Sequence, residues 1–268
     1  MSVQHGQIHI GTSGWSYDHW KGRYYPADLA RCEWLGYYAQ QFHSIEINSS
    51  FYHLPAEATL QHWHEATPAG FVFAVKASRY ITHMKKLNEP RETLPPLLER
   101  LATLGDKLGP ILFQLPPHWR FNAERLAALL DGLGDTCRCA FEFRDPSWFN
   151  EPCYELLSRH RAALCLYELE GFRSPEKLTA DFVYVRLHGP GAAYQGSYGE
   201  KSLAEWATTC CRWSADSREV YLYFDNDEQA YAVHNAARLQ TMTQESRHAG
   251  SQCRDRRALQ SPRRPAGA

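Results

Sequence analysis

Ten polar side chains sit at the ends of short apolar runs that lie far apart along the chain: Glu46, Asn48, Lys76, Gln114, Glu142, Arg144, Arg186, His188, Asp225 and Asn226. Within each run, polar and bulky apolar residues fall at opposite parity. Ile45 and Ile47 alternate with Glu46 and Asn48; Phe71, Phe73 and Val75 oppose Lys76; Phe141 and Phe143 oppose Glu142 and Arg144; Val183, Val185 and Leu187 oppose Arg186 and His188. Successive side chains of an extended chain point to opposite faces, so the polar set shares one face and the apolar set the other.

Gathered in one cavity, these groups suit acid–base chemistry on an anion. Arg144 and Arg186 can grip a carboxylate or phosphate with two parallel donors, and Lys76 adds a point charge. Glu46 or Glu142 could serve as general base and His188 as general acid or base, with Asp225 in the same catalytic set. Asn48, Gln114 and Asn226 join the two arginines as substrate contacts. The competing reading is structural: Glu46, Glu142 and Asp225 balance Lys76, Arg144 and Arg186 in charge, and a buried network of ion pairs needs no substrate. A lysine at a strand end can also form an imine if burial or neighbouring cations lower its pKa. For Lys76, a salt bridge is the plainer assignment. His188, Glu46, Glu142 and Asp225 have the donor types for Zn²⁺ or Mn²⁺. Three cations share their cavity and no second histidine joins them, so no metal ligand is assigned. No motif names a cofactor.

The elements that must position this set are eight runs of strand length, at 8–11, 44–47, 71–76, 111–115, 139–143, 163–167, 182–187 and 220–224. Between most of them lie helical spacings, such as Leu94, Leu97, Leu98, Leu101 and Leu104, or Leu126, Leu129, Leu130 and Leu133. Alternating strands and helices imply parallel strands with right-handed crossovers, and eight such units can close into a (β/α)8 TIM barrel. The stretch 168–181, with Gly171 and Pro175, has room only for a short helix or an irregular loop. No GxGxxG follows a strand and no GxxxxGK[ST] occurs, which argues against the nucleotide-binding open sheets. In a barrel the polar set falls at the C-terminal mouth, where barrels carry their sites. Aromatic residues crowd the loops at that end, and Trp15, Tyr52 and Tyr198 are placed as substrate contacts that could stack on a ring. Gly189, Gly191 and Gly196 make the loop after the seventh strand a candidate lid.

A chain of 268 residues, 44% hydrophobic and 22% charged, fits one such domain, and no apolar run is long enough to span a membrane. The first residues carry neither a basic nor an apolar leader pattern, so a cytoplasmic location is expected. Eight scattered cysteines fit a reducing compartment without disulfides. Residues 241–268 hold six arginines against Glu245 and Asp255, which leaves the rest of the chain at a net charge of −5. That sign disfavours bulk nucleic acid and favours a small anionic substrate as partner. The arginine-rich stretch has no apolar periodicity, so it is expected to be a disordered tail beyond a domain of residues 1–240. Nothing in the composition bears on oligomeric state.

Seven strings together resemble the YecE-like family: Gly11-Thr12-Ser13-Gly14-Trp15, Glu46-Ile47-Asn48-Ser49-Ser50-Phe51-Tyr52, Phe73-Ala74-Val75-Lys76, Phe113-Gln114-Leu115-Pro116-Pro117, Phe141-Glu142-Phe143-Arg144, Val185-Arg186-Leu187-His188-Gly189 and Tyr223-Phe224-Asp225-Asn226-Asp227. The resemblance spans residues 8–239 and implies a TIM-barrel domain of unknown function with its site at the strand ends. Likeness of that family to endonuclease IV and xylose isomerase-like barrels suggests phosphodiester or sugar chemistry by analogy of fold alone. The expectation is an enzyme of hydrolase or isomerase type acting on an anionic, ring-containing substrate. The alternatives are a nucleic-acid-binding protein and a non-catalytic ligand-binding barrel.

Overall fold

The computed structural model describes residues 5–259, with side chains to residue 247. Eight parallel strands run β1 (Ile8–Thr12), β2 (Ser44–Ile47), β3 (Val72–Lys76), β4 (Leu108–Gln114), β5 (Cys139–Glu142), β6 (Ala163–Leu169), β8 (Phe182–Leu187) and β9 (Glu219–Phe224). They pair in the order β1-β9-β8-β6-β5-β4-β3-β2. A parallel bridge between Ser13 and Glu46 brings the last strand back to the first, so the sheet is a nearly closed barrel.

The seam between β1 and β2 is short and has its own fasteners. Tyr38, from helix α1 (Trp34–Tyr38), accepts from the Thr12 N–H at 3.0 Å and donates to the Ser44 carbonyl at 3.2 Å. Gly11 lets the two backbones meet there, because a Cβ at that position would stand 2.2 Å from the Ser44 oxygen. Gly11→Ala should therefore cost about 3 kcal/mol, the upper part of the overpacking range. Urea denaturation checks this, and an unchanged midpoint would mean that the seam can open without loss.

Helices α2 (Glu57–Glu65), α3 (Pro90–Leu101), α4 (Ala123–Leu133) and α5 (Glu151–Arg159) follow β2, β3, β4 and β5; α6 (Glu200–Ala215) follows β8, and α7 (Tyr231–Leu259) follows β9. α4 shows why they form. Asn122 caps it by accepting from the Arg125 N–H at 2.9 Å, Leu126, Leu129, Leu130 and Leu133 line one buried stripe, and Gly134 ends it at φ 54°. No helix follows β6. That strand instead runs on into a hairpin with β7 (Phe172–Arg173), paired antiparallel through Glu168 and Leu169, and residues 174–181 return to β8 as irregular chain.

Two apolar layers follow from strand parity. Ile45, Phe73, Val75, Phe113, Phe141, Val185 and Leu222 pack outward against the helices. Ala74, Leu112, Ala140, Cys165, Tyr184 and Tyr223 fill the barrel interior, beneath the polar set. The boundary expected after residue 240 falls inside α7. Met242 and Thr243 are buried, and Arg247 donates to the Gly6 carbonyl at 2.8 Å. They continue the stripe of Val233, Ala236 and Leu239 at helical spacing, a pattern that the surrounding polar composition hides. The expectation of disorder for the end of the chain lies outside the described residues from 260 onward. Among the described residues, no helix is long and apolar enough to cross a membrane.

Candidate active site

The centre of the mouth is a guanidinium. Arg186, from β8, is fully buried and spends all five of its donors on protein groups. Nε lies 3.1 and 3.0 Å from the two Glu46 oxygens, and Nη2 reaches Glu46 Oε1 at 2.9 Å and Asp225 Oδ2 at 2.8 Å. Nη1 reaches Glu142 Oε2 at 2.9 Å and His188 Nε2 at 3.3 Å. Ser13 Oγ donates to Glu46 Oε1, and Tyr184 Oη donates to Glu46 Oε2 at 2.7 Å. Burial alone would push Glu142 up, but Arg144 and Arg186 beside it hold its carboxyl well below the usual range. Asp225 is held down in the same way against its burial, chiefly by Arg186.

This geometry corrects the anion-clamp reading of Arg186. With every donor spent, it holds three carboxylates in place and has nothing to offer a ligand. It also occupies the common centre of the four groups considered as metal donors, so Glu46, Glu142, Asp225 and His188 converge on a side-chain cation.

Glu46, Glu142 and His188 are each 0% exposed, so the proposed general bases lie under the floor of the mouth. Arg144 Nη2 lies 3.1 Å from His188 Nε2, and Arg186 Nη1 also points there. Glu142 Oε1 lies 3.6 Å from the same nitrogen, and Nδ1 lies 3.1 Å from Asp225 Oδ2. Tyr194 lies edge-on over the imidazole, with ring centres 5.4 Å apart.

The groups that reach the mouth are others. Arg144 is bound to Glu142 through Nε and Nη2 and lies over the Tyr167 ring at 4.9 Å, while its Nη1 has no partner among the described residues. Arg144 and Gln114 line a cavity of about 550 Å³ with Tyr167, Phe149, Phe172 and Tyr194.

Lys76, at the end of β3, is 8% exposed. Among the described residues its ammonium has no ion-pair or hydrogen-bond partner and lies over the Phe51 ring, centred 4.4 Å away. The salt bridge expected for it does not form, because the arginines take the carboxylates. Burial, then Arg186, lowers the Lys76 pKa to about 8.

Trp15, Asn48 and Tyr52 line a separate groove of about 750 Å³ between the loops after β1 and β2, where Trp15 packs edge-on against Trp63 and Asn48 Oδ1 is buried without a partner. Tyr198 and Asn226, expected to touch substrate, are braces instead. Tyr198 is buried against Phe224 and accepts from the Gly189 N–H at 3.1 Å. Asn226 donates to the Gly196 carbonyl at 2.7 Å and to Asn235 at 2.9 Å, tying down the loop after β8 that glycine content suggested as a lid.

Sequence reasoning missed Ser13, Tyr184 and His83. Tyr184 shares parity with Arg186, so the signal was present. His83 lies in a π-helical turn (Tyr80–Met84), where no period marks it. Burial, then Lys76, Arg79 and Arg144, lowers its pKa to about 4, which records a positive field on that side of the mouth.

The profile of the family described as "Protein of unknown function DUF72" matches residues 9–259. The chain belongs to the DUF72 family. It is 27% identical over 266 residues to the UPF0759 protein YunF of Bacillus subtilis, covering 87% of this chain and 93% of that one. It is 30% identical over 145 residues to the UPF0759 protein YecE of Escherichia coli K12, covering 53% of this chain and 50% of that one. A DUF72 family crystal structure from Thermotoga maritima superposes with a TM-score of 0.79 at 27% identity, covering 89% of this chain and 99% of the other. One from Enterococcus faecalis gives 0.75 at 20% identity, covering 89% and 96%, and supports the fold. The DUF72 strings identified from sequence are the ones that build this mouth: Ser13, Glu46, Lys76, Gln114, Glu142, Arg186 and Asp225 all come from them.

Proposed function

We propose that this DUF72 protein is an enzyme that performs acid–base chemistry, of hydrolase or isomerase type, on a small anionic substrate carrying a ring. The observation that carries this reading is the division of donors at the mouth. Arg186 spends its donors fixing Glu46, Glu142 and Asp225 in a rigid floor, whose remaining negative charge Arg144 and Lys76 balance, while Lys76 and the Nη1 of Arg144 retain hydrogen-bonding capacity there. Buried donors left unused attract an anion, and Arg144 offers a directed donor at Nη1 where Lys76 offers a proton acceptor once neutral. The ring requirement comes from the rim. The most exposed large apolar side chains among the described residues, Tyr52, Tyr80, Met84, Phe172 and Tyr194, all stand on the segments that follow barrel strands at this end.

Thermal-shift screening of the full chain against sugar phosphates, nucleotides and organic acids, with neutral sugars and nucleosides beside them, tests the proposal, since a ligand selective for the native state raises its stability. The expected hit is anionic, and Arg144→Gln weakens it about tenfold or more, the equivalent of one charge-assisted hydrogen bond. Hits confined to neutral compounds, or equal in wild type and Arg144→Gln, would contradict it.

A further inference from the structure

Among the described residues two lysines are buried, and they are treated differently. Lys107 is 5% exposed and donates to the His64 carbonyl at 2.5 Å, the Thr67 carbonyl at 2.7 Å and Thr67 Oγ1 at 3.1 Å. Three acceptors around three N–H bonds fix an ammonium. Lys76 is equally withdrawn, yet it has none of these, only the face of Phe51. The charges that act on it come from separate elements, Arg186 on β8, Glu46 on β2, Glu142 on β5 and Asp225 after β9, and none lies within ion-pair distance. The Glu46, Glu142 and Asp225 carboxylates are bound to Arg186 and favour the ammonium only from beyond ion-pair distance, which burial and Arg186 outweigh. A buried primary amine next to a cation is the arrangement that makes a lysine a nucleophile.

We propose that Lys76 is an imine-forming residue and that its substrates are aldehydes or ketones bearing a carboxylate or phosphate. The class of substrate rests on the reading of the mouth as an anion site, with Arg144 holding the charged group. The neutral amine adds to the carbonyl carbon to give a carbinolamine. A C=N bond then replaces the C=O bond, and the oxygen leaves as water with both amine protons. The imine nitrogen withdraws electrons from the adjacent carbon, which is the activation an isomerase or carbon–carbon lyase needs. The cavity beside Arg144 gives the rest of such a molecule room.

The test is reductive trapping on the full chain with cyanoborohydride, using pyruvate and glyceraldehyde 3-phosphate as anionic carbonyls and acetaldehyde as the neutral one, read by peptide mass mapping. Lactate and glycerol 3-phosphate, which lack the carbonyl, are scored separately by thermal shift. Modification at Lys76 is expected on the order of tenfold or more faster than at the other lysines, and absent in Lys76→Arg, which keeps a cation without the primary amine. Adducts spread evenly over Lys21, Lys85, Lys86 and Lys201, with Lys76 unmodified, overturn the proposal on the wild-type protein alone. Binding of the inert anions without a Lys76 adduct refutes the imine and leaves the anion site standing. A Lys76 adduct with acetaldehyde as fast as with the anionic carbonyls, and no binding of the inert anions, supports the imine and refutes the anion site.

Discussion

Arg186→Met is expected to destabilise the protein by about 5 kcal/mol at neutral pH, the upper end of the cost of stripping a buried ion pair of one partner. Arg186 touches Glu46, Glu142 and Asp225 at once, and all three are buried. A loss of that size is a large part of the 5–15 kcal/mol that holds typical domains together. The pH dependence should reverse as well. In the wild type the carboxyls of Glu142 and Asp225 are held below their unfolded values by the neighbouring cations. Their stabilisation is therefore present above the unfolded values and is lost as pH falls through the lower, folded ones. In Arg186→Met, Asp225 has lost the guanidinium that holds its carboxyl down against burial and is more easily accommodated protonated, so the variant should gain stability between pH 8 and pH 5. Glu46→Gln added to Arg186→Met should recover part of the loss, the coupling expected of groups in contact. Urea midpoints across that pH range check all three statements, and a variant as stable as wild type would mean that the ion pairs are dispensable.

Lys76→Met is expected to do the opposite and stabilise the protein. Lowering the Lys76 pKa from the ordinary 10.5 to about 8 corresponds to about 3 kcal/mol of strain on the charged form, at 1.36 kcal/mol per unit. The sign follows from which state takes the proton. Above pH 10.5 the amine is neutral both folded and unfolded, and the cost is absent. As pH falls from there toward 8, the unfolded chain binds a proton that the folded chain resists, and wild-type stability declines. Below about 8 the cost is complete. Methionine removes the ammonium and keeps the packing against Phe51, so the variant should gain about 3 kcal/mol at pH 7 and little at pH 10.5. Chemical denaturation at the two pH values measures the difference. Stability held down by a functional group is the usual trade-off at active sites. A variant less stable than wild type at pH 7 would show that the Lys76 ammonium is well accommodated.

Strand parity carried most of what could be read before the structure. It sent Glu46, Lys76, Gln114, Glu142, Arg186 and Asp225 inward and their apolar neighbours onto the helices, because both follow from the alternation of an extended chain. Parity says nothing about depth or about partners. Arg186 and Arg144 look alike in sequence, yet one is sealed beneath the mouth with every donor used and the other keeps a free edge. Parity turns Tyr184 inward with Arg186, but the carboxylate that it and Ser13 bind is a long-range contact. The same holds for Asn226 and Tyr198, whose polar atoms brace a loop rather than face the cavity. The β6–β7 hairpin replaces a helix that no apolar stripe in 168–181 had promised. His83 acquires its surroundings only when the turn after β3 folds beside Phe51, with ring centres 5.0 Å apart.

The state of one amine decides between a functional mouth and a purely structural one. Following the Lys76 side chain through a pH titration, by NMR of the lysine Nζ or by competitive acylation at each lysine, reads it directly. A Lys76 midpoint near 8 is the predicted result. A Lys76 midpoint at or above 10.5 would mean that its charge is already compensated within the fold, and the reactive role assigned to it would fall.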